Sequence, residues 1–475
     1  MDEIGRQTLT ILHTNDIHSR FGSMPSLAAM IDAERGASKN ELLLLDIGDH
    51  MDRMAPETEG TMGGANVDVI NLTGYDAITI GNNEGLTFTP EMLQQVYSGL
   101  QCPVVCGNVR ESATGAIPKW MKEYLILNKN GIRIGILAAT APYTTFYELL
   151  GWDVLEPLEC LKKQVASIQS EVDVIILMSH LGLATDQALA EELKGIDIIL
   201  GGHSHHLLEE PLVIRDTALC AAGKHGLQLG KLVVSRLVSD ERFQVDYGGC
   251  IPLIDEIIDE NVAAAIQLHR VQAERNMQET VVIMERELSV HYDQESEFGN
   301  VLAQAVRNFT GAPASLVNSG QLLGTLPSGT ISKSTLHRLC PSPINVCTLS
   351  LTGAEIRQAL EESLLPEFYL KRIMGYGFRG EVLGSLCMDG LEAVYDLAAP
   401  DLHKIQQLSI QGEPVHDREL YTIATLDMFT FKIGYESLAQ TRNLQYRLPE
   451  FIRDLLAVEL QRPEALEECS RKRWS

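Results

Sequence analysis

Five short apolar runs in the first half of the chain each stop at residues that can hold a cation or move a proton, and this recurrence restricts the fold most. Leu9–Leu12 runs into His13-Thr14-Asn15-Asp16-Ile17-His18, and Leu42–Ile47 into Gly48-Asp49-His50. Ala77–Ile80 precedes Gly81-Asn82-Asn83-Glu84, Val174–Met178 precedes Ser179-His180-Leu181-Gly182, and Ile196–Leu200 precedes Gly201-Gly202-His203-Ser204-His205-His206. Helix-length segments separate the runs, as in α/β architecture. Rigid strands feeding short glycine-containing loops gather functional side chains at the carboxyl edge of such a sheet. Chance supplies one or two such tips, but hardly five.

The tips offer Asp16, His18, Asp49, Asn82, His180, His203 and His205, a set of oxygen and imidazole donors without a thiolate. Such a set suits zinc, manganese or iron better than calcium, and seven donors are too many for one tetrahedral ion. Two ions sharing one carboxylate would use them all. Asp16 and His18 are two apart, so in an extended segment they point the same way, and His203 and His205 repeat the spacing. Gly201 and Gly202 let the backbone turn sharply and bring both imidazoles to one centre. Two ions about 3.5–4 Å apart can hold a hydroxide for in-line attack on phosphorus while neutralising the phosphate. Singly, each tip is ordinary, since Gly-Asp is a common turn and a His after a strand is usually structural. Their joint occurrence carries the reading.

Charge narrows the substrate. The 475 residues include 38 Lys plus Arg against 64 Asp plus Glu, a formal net charge of −26. A surface so negative repels phosphate backbones and anionic headgroups, which argues against a nucleic-acid polymer as partner. A small anionic substrate would need local positive charge, such as a bound metal. No apolar run approaches the ~20 residues of a spanning helix, so no membrane partner is expected. Met1–Gln7 lacks the pattern of a secretion signal. Nine scattered cysteines without repeated close pairs suggest reduced thiols and a cytoplasmic setting. Oligomeric state stays open.

From Asp255 to Gln278, Ile257, Ile258, Val262, Ala265, Ile266 and Leu268 recur at helical spacing. The expected organisation is therefore a domain over 1–255, a linking helix over 256–280 and a second domain over 281–475. Within the last, helices are expected over Glu297–Asn308 and from Thr352-Gly353 to about Leu364, with a turn-rich stretch over Asn318–Ser334 between them. Arg471-Lys472-Arg473 reads as a solvated tail.

Asp16-Ile17-His18, Gly48-Asp49, Gly81-Asn82-Asn83-Glu84, Ser179-His180-Leu181-Gly182 and Gly201-Gly202-His203-Ser204-His205 resemble the metal-binding blocks of the calcineurin-like metallophosphoesterases. More narrowly, the whole chain is similar to their 5′-nucleotidase branch. The resemblance implies a four-layer α/β/β/α metallophosphoesterase domain followed by an α+β 5′-nucleotidase-type domain that binds substrate. It also implies two divalent ions, manganese, zinc or similar. Asp16, His18 and His205 would hold one, Asn82, His180 and His203 the other, and Asp49 would bridge. The implied activity is phosphate-ester hydrolysis on a nucleotide or similar small molecule by a metal-bridging hydroxide. Cyclic phosphodiester and nucleotide-sugar hydrolysis share that chemistry.

Departures from the family pattern are equally informative. The third block normally reads Gly-Asn-His-Glu/Asp with an Asp shortly after, and its His assists the leaving group. Here Asn83 takes the His position and Leu86 the Asp position. An amide can donate a hydrogen bond to a developing oxyanion but has no proton to transfer. Asn83 is thus the candidate catalytic residue, and His50 and His206 are candidate substitute acids. In the second domain, Asn318-Ser319-Gly320, Leu351-Thr352-Gly353 and Glu297-Phe298-Gly299-Asn300 keep the resemblance. Ser342-Pro343-Ile344-Asn345 and Lys432-Ile433-Gly434-Tyr435 depart from motifs that contact substrate in the family. Asn345 and Phe429 are the candidate substrate contacts, with Phe431 as an alternative aromatic face. The competing function is a catalytically weak nucleotide- or phosphometabolite-binding protein that retains the metals.

Overall fold

A computed structural model describes residues 6–38, 42–237 and 242–475, so Met1–Gly5 of the opening segment lie outside it. The chain divides into two compact units, Met1–Ala273 and Glu274–Ser475. In the first, the strands are β1 (Arg6–Thr14), β2 (Leu42–Asp46), β3 (Ala77–Ile78), β4 (Val104–Val105), β5 (Val109–Glu111), β6 (Met121–Lys122), β7 (Tyr124–Lys129) and β8 (Ile132–Thr140). They continue as β9 (Trp152–Val154), β10 (Val174–His180), β11 (Ile198–Gly201), β12 (Leu212–Ile214), β13 (Thr217–Cys220), β14 (Gln228–Leu237) and β15 (Gln244–Pro252). One sheet has the order β15-β14-β1-β2-β3-β4-β6 and the other β12-β13-β11-β10-β8-β7, while β5 pairs with β9 alone. Neighbours among β1, β2 and β3 run parallel, as do those among β8, β10, β11 and β13.

Period-two alternation explains why the sheets stack. Leu9 and Ile11 of β1 and Leu43 and Leu45 of β2 bury against Ile134, Ile136, Val174, Ile176, Met178, Ile198 and Leu200 in one core between the sheets. The residues between these, Leu137, Ile175, Leu177 and Ile199, face the other way and pack with Leu161, Val165, Ile168 and Leu189 from helices Pro157–Ile168 and Leu183–Glu192. Helix Met24–Ala37 belongs to the first sheet's outer layer, with Leu27 and Ile31 buried and Glu34 accepting from Lys231 Nζ of β14 at 2.6 Å. The layers run helix, sheet, sheet, helix, as the resemblance implies. All five tips therefore follow the carboxyl ends of parallel strands.

The helix expected over 256–280 spans Glu260–Asn276. Most of it lies on the first unit: His269 Nε2 is 2.6 Å from Asp68 Oδ2 and Arg270 Nε donates to Glu57 Oε1 at 2.8 Å. A Cβ on Gly60 would meet Ala273 Cβ at 2.6 Å, so this glycine is what lets the helix approach.

In the second unit a mixed sheet runs in the order Leu386–Asp389, Ala314–Asn318, Leu420–Leu426, Val346–Thr352, Gln445–Arg447. Helix Glu297–Thr310 is buried at every position from Phe298 to Val306, so it serves as a core helix. Helix Gly353–Ser363 opens with a capping box in which Thr352 Oγ1 accepts from Glu355 N and Glu355 Oε2 from Thr352 N. The stretch expected to be turn-rich also holds strand Gly329–Ser332, paired with Thr280–Met284. In the basic tail Arg471 and Lys472 are exposed as expected, but Arg473 is not. Ala393 N donates to Arg473 O at 2.8 Å and Ser475 N to Ala393 O at 3.0 Å, and Arg473 is buried with its guanidinium 2.7 Å from Asp389 Oδ1. Backbone pairing draws Arg473–Ser475 onto strand Leu391–Tyr395, while the side chains of Arg471 and Lys472 stay in solvent. Among the described residues no helix is long and apolar enough to cross a membrane.

Candidate metal centre

The tips are held in unusual backbone conformations. Asp16, His18, Asp49, His203 and His205 have φ between 49° and 71°, the left-handed region that costs a non-glycine residue about 1–3 kcal/mol. Cross-links between tips impose this. Asp16 N donates to Gly48 O (3.0 Å), His18 N to Asp49 O (2.8 Å), and His203 N to Asp16 Oδ2 (3.0 Å). Glu84 ties the second and third tips together, accepting from Gly81 N at 2.8 Å, Met51 N at 2.7 Å and Asp49 N at 3.1 Å. Close approach explains Gly81: a Cβ there would lie 2.1 Å from Asp49 Oδ1 and 2.7 Å from His180 Nε2.

The donor atoms converge in two overlapping groups, Asp16 with His18 and His205, and Asp16 with Asp49 and His180, each within 4.8 Å. In the first, His18 Nε2 and His205 Nε2 are 3.0 Å apart, and Asp16 Oδ1 is 3.8 and 3.5 Å from them. On the other side, Asn82 Oδ1 is 3.3 Å from His180 Nε2 and 2.7 Å from His203 Nδ1. Asp49 faces both sides, with Oδ1 3.3 Å from His180 Nε2 and Oδ2 3.7 Å from His18 Nε2. All seven residues expected as ligands are thus brought together. Asp16 and His180 have no exposed surface, whereas the His205 side chain is 34% exposed.

The electrostatics fit a cation. Burial pushes the Asp49 carboxyl up, but the charges of His180 and His18 and the hydrogen bonds it accepts overcome this and hold it well below the carboxylate range. Burial alone would push His180 down, yet the fields of Asp49 and Asp16 raise it to about 10. His203, which burial and the neighbouring His180 charge lower to about 4, is a neutral imidazole near pH 7. Two sunken carboxylates that draw a proton onto a wholly buried imidazole form a site that positive charge stabilises. With the convergent oxygen and nitrogen donors, this suits borderline divalent ions.

Asn83 stands beside the cluster. Its backbone N donates to Asp49 Oδ1 at 2.7 Å, and its Nδ2 is 2.9 Å from His18 Nδ1 and 3.3 Å from Met51 O. Of the two candidate substitute acids, His50 is enclosed and His206 is not. His50 is buried with Nδ1 3.2 Å from Asn66 Nδ2, and burial lowers it to about 3. His206 is exposed and has Nδ1 2.8 Å from Ser204 Oγ. The two candidate substrate contacts lie in the second unit and are otherwise committed. Phe429 is fully buried against Tyr435, with no face for a ligand. Asn345 is 5% exposed and its Nδ2 donates to Glu450 O at 2.8 Å. Phe431, 37% exposed and 5.8 Å from the Tyr376 ring, is the accessible aromatic of the pair.

Sequence reasoning missed three neighbours. Tyr143, just past β8, has its hydroxyl 3.1 Å from His203 Nε2. His225, past β13, has its ring 5.9 Å from that of His18, and its N donates to Asp16 O at 2.8 Å. Asp52 places Oδ2 3.6 Å from His18 Nδ1. The signal for the first two was available: β8 and β13 are also parallel strands, so their ends reach the same edge.

Residues 9–207 match the calcineurin-like phosphoesterase family and residues 274–439 the 5′-nucleotidase C-terminal domain family. The metallophosphoesterase YunD of Bacillus subtilis is 35% identical over 461 residues, which cover 96% of this chain and 99% of that protein. A 5′-nucleotidase precursor from Thermus thermophilus has a solved structure that matches with TM-score 0.62 and 22% identity over 96% of each chain. The NAD nucleotidase NadN of Haemophilus influenzae matches with TM-score 0.70 and 17% identity, also over 96% of each. Those two likenesses speak for the fold, and the Bacillus relative for the family. This chain belongs to the calcineurin-like metallophosphoesterases, in the branch that carries a 5′-nucleotidase C-terminal domain.

Proposed function

We propose that the chain is a metal-dependent phosphohydrolase of 5′-nucleotidase type, acting on a phosphate ester of a nucleotide or similar small molecule. A cytoplasmic setting is part of the proposal, supported by nine cysteines that are all free thiols. The observation that carries the reading is the meeting of two donor sets at one carboxylate, Asp49. Asp16, His18 and His205 would hold one divalent ion, Asn82, His180 and His203 the other, and Asp49 both. Such a pair supplies water activation and neutralisation of phosphate charge. The Asn83 amide, beside His18 at the cluster, would donate a hydrogen bond to an oxygen of the phosphate, a contact worth roughly 10²–10³ in rate. It brings no proton to the departing oxygen. Esters whose leaving groups depart unassisted should therefore turn over faster than alkyl esters.

The test is phosphate release from a nucleotide panel and an activated aryl phosphate with added manganese, for wild type and Asp49→Asn. Loss of release in the variant is expected; equal rates would sink the reading. A binding or regulatory protein with weak catalysis is the second reading, favoured by Asn83 and by a His50 too buried to replace the missing acid. Tight nucleotide binding with no turnover even of activated esters would establish it instead.

A further inference from the structure

In a ligating imidazole one nitrogen points inward and the other outward, and the group behind the outward nitrogen decides which tautomer the ring can adopt. Behind His180 stands the carbonyl of Ile47, 2.8 Å from Nδ1. A carbonyl only accepts, so Nδ1 keeps its proton in every state and only Nε2, which faces Asp49 and Asn82, is left to meet a cation. His203 is backed differently. Its inward Nδ1 is 2.7 Å from Asn82 Oδ1, and its outward Nε2 is 3.1 Å from the Tyr143 hydroxyl. The two rings meet edge to face with centroids 5.9 Å apart.

We propose that Tyr143 is a positioning residue that lets His203 exchange tautomers, keeping one hydrogen bond with its polarity reversed between the cation-free and cation-loaded centre. This rests on the two-ion reading of the site. Without a cation, two lone pairs 2.7 Å apart would repel, so a proton lies between them: Nδ1–H donates to Asn82 Oδ1, and the Tyr143 hydroxyl donates to Nε2. With a cation, Nδ1 and Oδ1 must both present lone pairs. The N–H bond at Nδ1 then breaks, one at Nε2 forms by exchange with solvent, and Nε2–H donates to the Tyr143 oxygen. The ring carries one proton and no charge in both states, so this ligand takes up or releases no net proton. Only a group that both donates and accepts serves both states; a hydroxyl does, whereas a carbonyl does not. The contrast with His180 follows, one imidazole fixed by a backbone acceptor and the other adjustable.

The test uses the full-length chain and zinc alone. Titration of the metal-free wild type is expected to show two ions per chain. In Tyr143→Phe one step should weaken about 10–100-fold, the range for losing a group behind a ligating imidazole, with the other step unchanged. Ring ¹⁵N shifts of wild-type His203 need no variant: they should place the proton on Nδ1 without zinc and on Nε2 with it. Wild-type affinity in Tyr143→Phe, or one unchanged His203 tautomer in both states, overturns this proposal and leaves the two-ion reading standing. A wild-type chain that binds no divalent ion overturns both.

Discussion

At the scale of single residues, the proposed function turns on Asn83, which would decide what kind of catalyst this centre can be. Every candidate ligand position holds a competent donor, yet the residue that would aid the departing oxygen carries an amide next to His18 and Met51. A general acid contributes typically 10²–10⁴ in rate, and its absence matters most when the leaving group is a strong base. For wild type, kcat should fall steeply as the leaving-group pKa rises across a series of aryl and alkyl phosphates. Asn83→His should flatten that dependence and raise kcat on alkyl phosphates about 100-fold, with KM nearly unchanged. Parallel slopes for the two proteins would show that proton donation is not what the position lacks. Sequence made the seven ligand candidates legible because few side chains bind metal and each stood just past an apolar run. Tyr143 stayed hidden because a tyrosine after a strand has many ordinary roles, and only the fold brings it to His203.

Among the elements, strand ends again decide what sits where, in the second unit as well as the first. Strand Leu420–Leu426 delivers Asp427 into a buried position, where its carboxylate accepts from Asn345 N at 3.2 Å. Burial pushes this carboxyl up to about 7, against the backbone hydrogen bonds that lower it. Its folded value thus lies above the unfolded value near 3.9, so between the two the native chain holds a proton that the unfolded chain has lost. Its contribution to stability is greatest below about pH 4, declines as pH rises toward 7, and is flat beyond. Asp427→Asn keeps an acceptor for Asn345 N but never ionises. Relative to wild type it should gain about 3 kcal/mol in chemical denaturation between pH 5 and pH 8. A pH-independent difference would mean that the carboxyl titrates normally. Regular elements such as Glu297–Thr310 and Gly353–Ser363 were legible because their apolar spacing and capping residues are local signals. Strand Gly329–Ser332 and the folded-back Arg473 were not, because both rest on pairing with segments distant in sequence.

For the whole molecule, the question raised by a net charge of −26 is how an anionic substrate is drawn in. Long-range repulsion is screened over about 8–10 Å at physiological salt, so the immediate surroundings of the site govern capture. There, Asp16 and Asp49 concentrate two of the chain's acidic groups, which makes the metal-free cluster hostile to phosphate and hospitable to divalent cations. On the proposed reading, loading would reverse the local sign while the remote surface stays acidic, a combination that would favour small phosphate esters over polymers. The same loading should stabilise the chain unevenly, because the candidate ligands all lie in the first unit and each unit has its own core. A ligand at 100 times its Kd adds about 2.7 kcal/mol to the state that binds it. Hydrogen exchange of the chelator-treated chain, with and without manganese, should therefore show added protection at the ends of β1, β2, β10 and β11. Protection in strands Ala314–Asn318 and Val346–Thr352 of the second unit should stay unchanged. Unchanged protection throughout would mean that the tips hold no cation, and an equal rise in both units would mean that stabilisation is not confined to the unit that carries the ligands.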